Sequence, residues 1–241
     1  MMSNSIKTAI ILAGGLGTRL RTLVNDRPKP MAPIKERPFL QYLLKYWEMQ
    51  GISRFIISVG YLHEKITSYF GSKFNSSSIE YVIEDVPLGT GGGLLNCIRE
   101  KNIKSPFLLL NGDTYFKVDL GLMQHLFFTT QADWCLSLFS TNEEKRYLLI
   151  DVDVNKKIKF LNEKVKLSNK KCWANGGVYI INPKVLNKFK KNNIKVSLED
   201  NIIPESFKAG DNFIGFKSLN SFIDIGLPKD YERIINNEFK L

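Results

Sequence analysis

Cysteine and histidine are the scarcest reactive side chains in this 241-residue chain, with three of one and two of the other. Cys97, Cys135 and Cys172 are odd in number, far apart and free of any CxxC pair. That argues against a disulfide framework and a cysteine-based zinc site, and it favours a reducing compartment. His63 and His125 are too few for a histidine-rich metal centre or a relay of imidazoles. No apolar run approaches the ~20 residues of a membrane-spanning helix, so no membrane partner is expected. The opening MMSNSIKTAIILAGG meets glycines after one strand's worth of apolar residues and lacks a signal-peptide hydrophobic region. The expected location is the cytoplasm. Hydrophobic residues at 44% and charged residues at 24% exclude wholesale disorder, and the length suffices to bury a core unaided.

Acidic residues are also short in one place. The net charge is +10, and residues 155–195 hold twelve lysines against one acid, Glu163. One reading is a nucleic-acid footprint; the other is solvated lysine whose field favours small anionic substrates. The run has no arginine and few aromatics, whereas nucleic-acid readers interleave both. We therefore favour small anions over nucleic acid.

The first half alternates strand and helix. Strands are expected at Lys7–Ala13, Arg54–Val59, Ile79–Ile83 and Pro106–Leu110, the last apolar enough for a strand buried on both faces. Helices are expected at Pro38–Gln50, Leu62–Phe70 and, after a glycine-rich turn, Leu94–Lys101. This order implies an α/β, doubly wound, Rossmann-like sheet, mixed but mainly parallel. Further strands are expected at Trp134–Phe139, Tyr147–Val152, Lys157–Leu161, Trp173–Ile181, Phe213–Phe216 and Phe222–Ile225. Shorter helices are expected near Pro183–Lys191, Leu198–Phe207 and Pro228–Phe239. We read one domain with halves at 1–115 and 116–241, the second forming a smaller lid over the first.

Ligands of doubly wound sheets bind beyond the carboxyl ends of the strands. Leu12-Ala13-Gly14-Gly15-Leu16-Gly17-Thr18-Arg19-Leu20 follows the first strand, and Arg27-Pro28-Lys29-Pro30-Met31-Ala32-Pro33 follows soon after. Close-set glycines let backbone N–H groups close around an anion, and Arg19 and Lys29 add positive charge. The spacing fits neither GxxxxGK[ST] nor GxGxxG. Asn111-Gly112-Asp113 ends the buried strand; its carboxylate is placed either to hold Mg²⁺ on a triphosphate or to close an Asx turn. Asp224, flanked by apolar residues, needs a cation or donors if buried. Ser197-Leu198-Glu199-Asp200 reads as a structural helix cap.

The pattern L-A-G-G-x-G-T-R-L with downstream P-K-P-x-x-P resembles the signature of the sugar-1-phosphate nucleotidyltransferases, and later family landmarks recur in order along the chain. Arg21-Thr22-Leu23, where many members have proline, leucine and threonine, together with PKPMAPI resembles the subgroup that transfers GMP to D-glycero-α-D-manno-heptose 1-phosphate. The mannose-1-phosphate guanylyltransferases are similar, and thymidylyl- and uridylyltransferases acting on glucose 1-phosphate are the wider alternative. A non-enzymatic nucleotide-sugar-binding subunit would be marked by loss of Arg19, Lys29 or Asp113, and all three are present.

The resemblance implies a nucleotide-diphospho-sugar transferase fold, a nucleoside triphosphate (GTP favoured) and a sugar 1-phosphate as partners, Mg²⁺ as cofactor and a homo-oligomer, a dimer foremost. It implies catalytic roles for Arg19, Lys29 and Asp113, and a metal pair of Asp113 and Asp224. Nucleotide contacts fall on Leu12, Ala13, Gly14, Gly15, Gly17, Thr18, Arg19, Glu84, Pro87, Gly89, Thr90 and Gly112. Sugar-phosphate contacts fall on Lys29, Tyr147, Glu163, Lys164, Asn175 and Gly176, although Leu148 stands where many members have glycine. Glu84 is either an acceptor for the adjacent N1–H and N2–H₂ donors of guanine or a solvated strand-end acid. Glu163 has the alternative of an ordinary surface ion pair.

Overall fold

The computed structural model describes residues 5–15, 17, 20, 24, 26–143, 147, 149–160, 172–189 and 195–236. Strand β1 (Thr8–Ala13) leads through a 3-10 turn over Lys29–Met31 and a small ribbon, β2 (Pro33–Ile34) and β3 (Arg37–Pro38), into α1 (Phe39–Met49). Then follow β4 (Arg54–Val59), α2 (His63–Phe70), β5 (Lys73–Phe74), β6 (Ser77–Ile83), α3 (Gly89–Glu100) and β7 (Phe107–Asn111). The second half holds β8 (Thr114–Phe116), α4 (Leu120–Thr129), β9 (Trp134–Thr141), β10 (Ile150–Val152), β11 (Ile158–Phe160) and β12 (Cys172–Ile181). A 3-10 helix over Pro183–Phe189 and a π turn over Leu198–Ile202 precede α5 (Ile203–Lys208), β13 (Phe213–Ser218), β14 (Phe222–Asp224) and α6 (Pro228–Ile235).

Eight strands form one sheet in the order β13-β9-β12-β7-β1-β4-β6-β5. The run β7-β1-β4-β6 is parallel, and β12 lies antiparallel between β7 and β9. Alternation along β7 divides the core: Leu108 and Leu110 face one apolar cluster with Phe39 and Trp47, while Phe107 and Leu109 face another with Leu94, Trp134, Tyr179 and Ile202. Burial on both faces explains its unbroken apolar sequence.

The sheet is mixed and mainly parallel as expected, and the second half contributes β9, β12 and β13 to it; Val178 pairs with Leu110 and Gly215 with Leu136. Burying both faces of β7 under helices leaves its free edge as the place where further strands gain hydrogen bonds. Helix α3 begins at Gly89, not Leu94, so the glycine run is its first turn. A Cβ on Gly91 would lie 2.7 Å from the Ile202 side chain and 3.0 Å from the Ser197 backbone, so these glycines serve close packing. Helix α4 was not foreseen, since its segment LGLMQHLFFT is apolar on several faces and shows no clean stripe. Its cap is Asp119, whose side chain accepts from the Leu122 N–H at 2.9 Å. All three cysteines are buried free thiols. Among the described residues, no helix is long and apolar enough to cross a membrane.

Candidate active site

A cavity of about 380 Å³ opens at the carboxyl ends of β1 and β7. It is lined by the strand-end residues Leu12, Ala13, Gly14, Gly15, Gly112 and Asp113, by Glu84, Pro87, Gly89 and Thr90 around the start of α3, and by Lys29 and Asp224. The two strand ends are laced together where the Gly112 N–H donates to the Leu12 carbonyl at 2.9 Å. A side chain there would meet that carbonyl at 2.6 Å, so only glycine permits the approach.

Asp113 and Asp224 are distant in sequence, and the ribbon of β8 and β14 joins them. Asp224 pairs with Thr114, and the Ile225 N–H donates to the Asp113 carbonyl at 2.9 Å. Lys29 enters from the Pro-Lys-Pro turn, where Ala32 and Met31 N–H groups close back onto the carbonyls of Lys29 and Pro28. Flanking prolines with fixed φ pre-set that turn. The Lys29 ammonium sits 3.1 Å from Asp113 Oδ2. A Cβ built on Gly226 would lie 2.7 Å from Asp224 Oδ1, 2.9 Å from Lys29 Nζ and 3.1 Å from Asp113 Oδ2, so the three charged groups converge on one small volume. Two carboxylates gathered around one ammonium make a place that demands positive charge. Among the described residues no group of three or more His, Cys, Asp or Glu could hold a metal. Asp113 and Asp224 could serve a divalent cation of the kind that takes one or two carboxylates and completes its shell with water and phosphate oxygens.

Glu84 is not the solvated strand-end acid that one reading allowed. Its Oε1 accepts from Ser58 Oγ at 2.6 Å and its Oε2 from the Leu88 N–H at 3.1 Å. The carboxylate lies so close to Gly14 and Gly93 that a Cβ on either would come within 2.7 Å of it. Gly89 has φ +75° and faces the Val196 carbonyl, which would lie 2.7 Å from a side chain. That carbonyl also accepts from the N–H groups of Gly91 and Gly92, so the segment around Val196 closes one rim of the cavity.

Four lining residues escaped the sequence reading: Pro30, Asn111, Thr114 and Lys195. Pro30 and Asn111 lie inside quoted motifs without having been assigned a contact, Thr114 follows one, and Lys195 is the last of the lysine-rich run. Asn111 Oδ1 is buried without a hydrogen-bond partner. Glu199 also escaped. Ser197 does cap its turn by accepting from the Asp200 N–H at 3.0 Å, but Glu199 points inward. It accepts from Thr90 Oγ1 at 2.8 Å, and burial pushes its carboxyl up from the usual carboxylate range.

The other expected residues are elsewhere. Tyr147 packs edge-on against Phe139 at 4.9 Å between ring centroids and lines a second cavity with Asn220 and Arg233. Asn175 Nδ2 donates to the Tyr179 hydroxyl at 2.7 Å. Gly176 lies against the Phe116 ring, which a Cβ there would strike at 2.5 Å. Gly17, with φ +65°, lies against the Lys29 stem. Thr18, Arg19, Glu163 and Lys164 lie outside the described residues.

Residues 8–240 match the nucleotidyl transferase family. The chain belongs to that family. Similar nucleotidyl transferases include the D-glycero-alpha-D-manno-heptose 1-phosphate guanylyltransferase of Aneurinibacillus thermoaerophilus, 42% identical over 93% of this chain and 95% of that protein. The protein of the same name from Campylobacter jejuni subsp. jejuni serotype O:2 is 38% identical over 95% of this chain and 99% of that one. Among solved structures of nucleotidyl transferase fold, HddC from Yersinia pseudotuberculosis complexed with GMP-PN superposes with a TM-score of 0.79. It is 31% identical, covering 97% of this chain and 100% of that one.

Proposed function

We propose that this nucleotidyl transferase joins GTP to D-glycero-α-D-manno-heptose 1-phosphate, giving GDP-heptose and pyrophosphate. The observation that carries the reading is the convergence of Lys29, Asp113 and Asp224 at the strand ends of a cavity sized for a nucleotide. The guanylyltransferase names of the two relatives support the choice of base and sugar.

The acceptor oxygen already carries negative charge at neutral pH, so attack on the α-phosphorus needs no general base. The difficulty is repulsion, about 4 kcal/mol for two unit charges 4 Å apart at an effective dielectric near 20. In our reading Gly14 and Gly15 present backbone N–H groups to the triphosphate, and Glu84 fixes the turn that receives the base. Lys29 exchanges its bond to Asp113 for one to phosphate and neutralises charge on the pentavalent centre. Asp113 and Asp224 would hold Mg²⁺, which when bound supplies charge neutralisation for the triphosphate and leaving pyrophosphate. Asn111 Oδ1 is placed to accept from a sugar hydroxyl. Catalysis is then positioning plus electrostatics.

A pyrophosphate-release panel crossing the four nucleoside triphosphates with heptose, mannose and glucose 1-phosphates tests the reading. GTP with the heptose phosphate should be fastest, and no release from any pair would overturn it. In the productive pair, Lys29→Ala and Asp113→Ala should each lower turnover about a hundredfold while the fold survives.

A further inference from the structure

We infer that Tyr231 is a positioning residue: its hydroxyl docks the turn that carries Lys29 onto the helix that follows Asp224, and so sets where the ammonium meets the two carboxylates. This rests on the functional reading above for the identity of the substrates. Tyr231 does not line the cavity, so it acts through the turn.

Lys29 stands on a short support. Its 3-10 turn ends at the C-cap Ala32 and runs straight into the two-residue ribbon of β2 and β3. In that ribbon Pro33 pairs with Pro38. Neither proline has an N–H, so the Pro33 carbonyl receives no donor from the opposite strand. The donor comes from the far end of the chain instead. The Tyr231 hydroxyl, on α6, donates to the Pro33 carbonyl at 2.7 Å. The next carbonyl, that of Ile34, accepts from the Tyr42 hydroxyl on α1 at 3.0 Å. Two adjacent carbonyls are thus held by tyrosines of two different helices.

The two ties differ in what lies behind them. Helix α1 continues directly from the ribbon, and its Phe39 N–H donates to the Ala32 carbonyl at 2.9 Å. Tyr42 therefore ties the turn to its own neighbourhood. Helix α6 continues from the acidic ribbon strand β14. Its N-cap Leu227 donates its N–H to the Asp224 carbonyl at 3.5 Å, and the Tyr231 N–H donates to the Leu227 carbonyl at 3.0 Å. Tyr231 thereby ties the backbone of Lys29 to the backbone of Asp224. The Lys29–Asp113 pair and the bond from the Ile225 N–H to the Asp113 carbonyl close the circuit.

A lysine ammonium rides on a flexible stem, so its position depends on the backbone that launches it. Misplacing a reacting group by about 1 Å can cost about a hundredfold in rate. The Tyr231 ring is buried, and a phenylalanine ring would bury as well. The hydroxyl is thus explained by the carbonyl it holds.

Steady-state kinetics with GTP and the heptose 1-phosphate compare the two tyrosines. Tyr231→Phe should lower kcat about tenfold while both KM values stay within about twofold, because Lys29 acts on the charge that develops at phosphorus. Tyr42→Phe removes an equivalent hydroxyl from the adjacent carbonyl. It should lower the melting temperature and leave kcat within about twofold. An unchanged kcat in Tyr231→Phe would overturn the inference, as would equal loss of kcat in both variants. If Tyr231→Phe fails to fold, Tyr231→4-fluorophenylalanine, which fills the space of the hydroxyl and donates nothing, decides in its place. Acylation of Lys29 by acetic anhydride, followed by peptide mass spectrometry, gives a readout that needs no turnover. Relative to the exposed Lys104, Lys29 should react severalfold faster in Tyr231→Phe and at the unaltered rate in Tyr42→Phe. Equal labelling in all three proteins would overturn the inference. Absence of turnover in the unaltered enzyme would instead fall on the functional reading, and the labelling would still judge Tyr231.

Discussion

At Glu199 two opposing effects act on one carboxylate. Its bond from Thr90 favours the ionised form, while removal from water favours the neutral form, and burial prevails. A carboxyl raised in the folded state binds its proton more tightly there than in the unfolded chain. Its stabilising contribution is complete below the unfolded pKa and is lost as pH rises through the higher folded value. Glu199→Gln removes that titration. The melting temperature of the unaltered protein minus that of Glu199→Gln should therefore be larger at about pH 5 than at about pH 8. A difference that stays constant, or grows with pH, would mean the carboxyl is not held above its ordinary range.

At the scale of elements, the ribbon of β8 and β14 assembles the charged centre, and Gly226 marks its tightest point. The Gly226 N–H donates to Asp224 Oδ1 at 2.7 Å. Its Cα faces the volume shared by Asp224, Lys29 and Asp113, and the flexible Lys29 end could yield to a methyl group only by leaving its position. Gly226→Ala should lower kcat/KM about a hundredfold while melting falls by no more than about 3 °C, a split that thermal and kinetic assays read together. Equal loss of both would indicate a folding defect. Such ribbons explain what the sequence made legible. Elements governed by local periodicity were readable: β1, α1, β4 and α2 lie within two residues of expectation. Elements governed by long-range contact were not. The start of α3 depends on Val196 and Ser197, and the joining of β12 to β7 depends on an edge that local pattern cannot reveal. Likewise Lys29, Asp113 and Asp224 were visible as chemistry at strand ends, although only the family resemblance paired the two acids. Glu199 was hidden because a capping motif accounted for Ser197 and left no reason to follow the next acid inward.

The whole molecule carries a formal charge of +10, concentrated in the lysine-rich span of residues 155–195. Lys156, Lys157 and Lys159 follow the β10 strand on exposed backbone, and Lys195 reaches the cavity wall. Both proposed substrates are phosphate anions, so this field should raise their local concentration without taking part in bond formation. Exposed charges of this kind are screened within about 10 Å at 0.1 M salt, whereas the partly buried Lys29–Asp113 pair is screened much less. The two contributions thus separate by ionic strength. Raising salt from about 0.02 to about 0.5 M should increase KM for GTP and for the sugar phosphate severalfold and leave kcat nearly constant. Lys195→Ala should raise KM for GTP at low salt, and the gap from the unaltered enzyme should close as salt rises. If KM is flat with salt while Lys195→Ala still weakens GTP, Lys195 acts as a direct contact and the long-range field contributes nothing. If kcat falls instead, the charges that matter are those at the reacting phosphorus, and the surplus of surface lysine must be explained by something other than substrate capture.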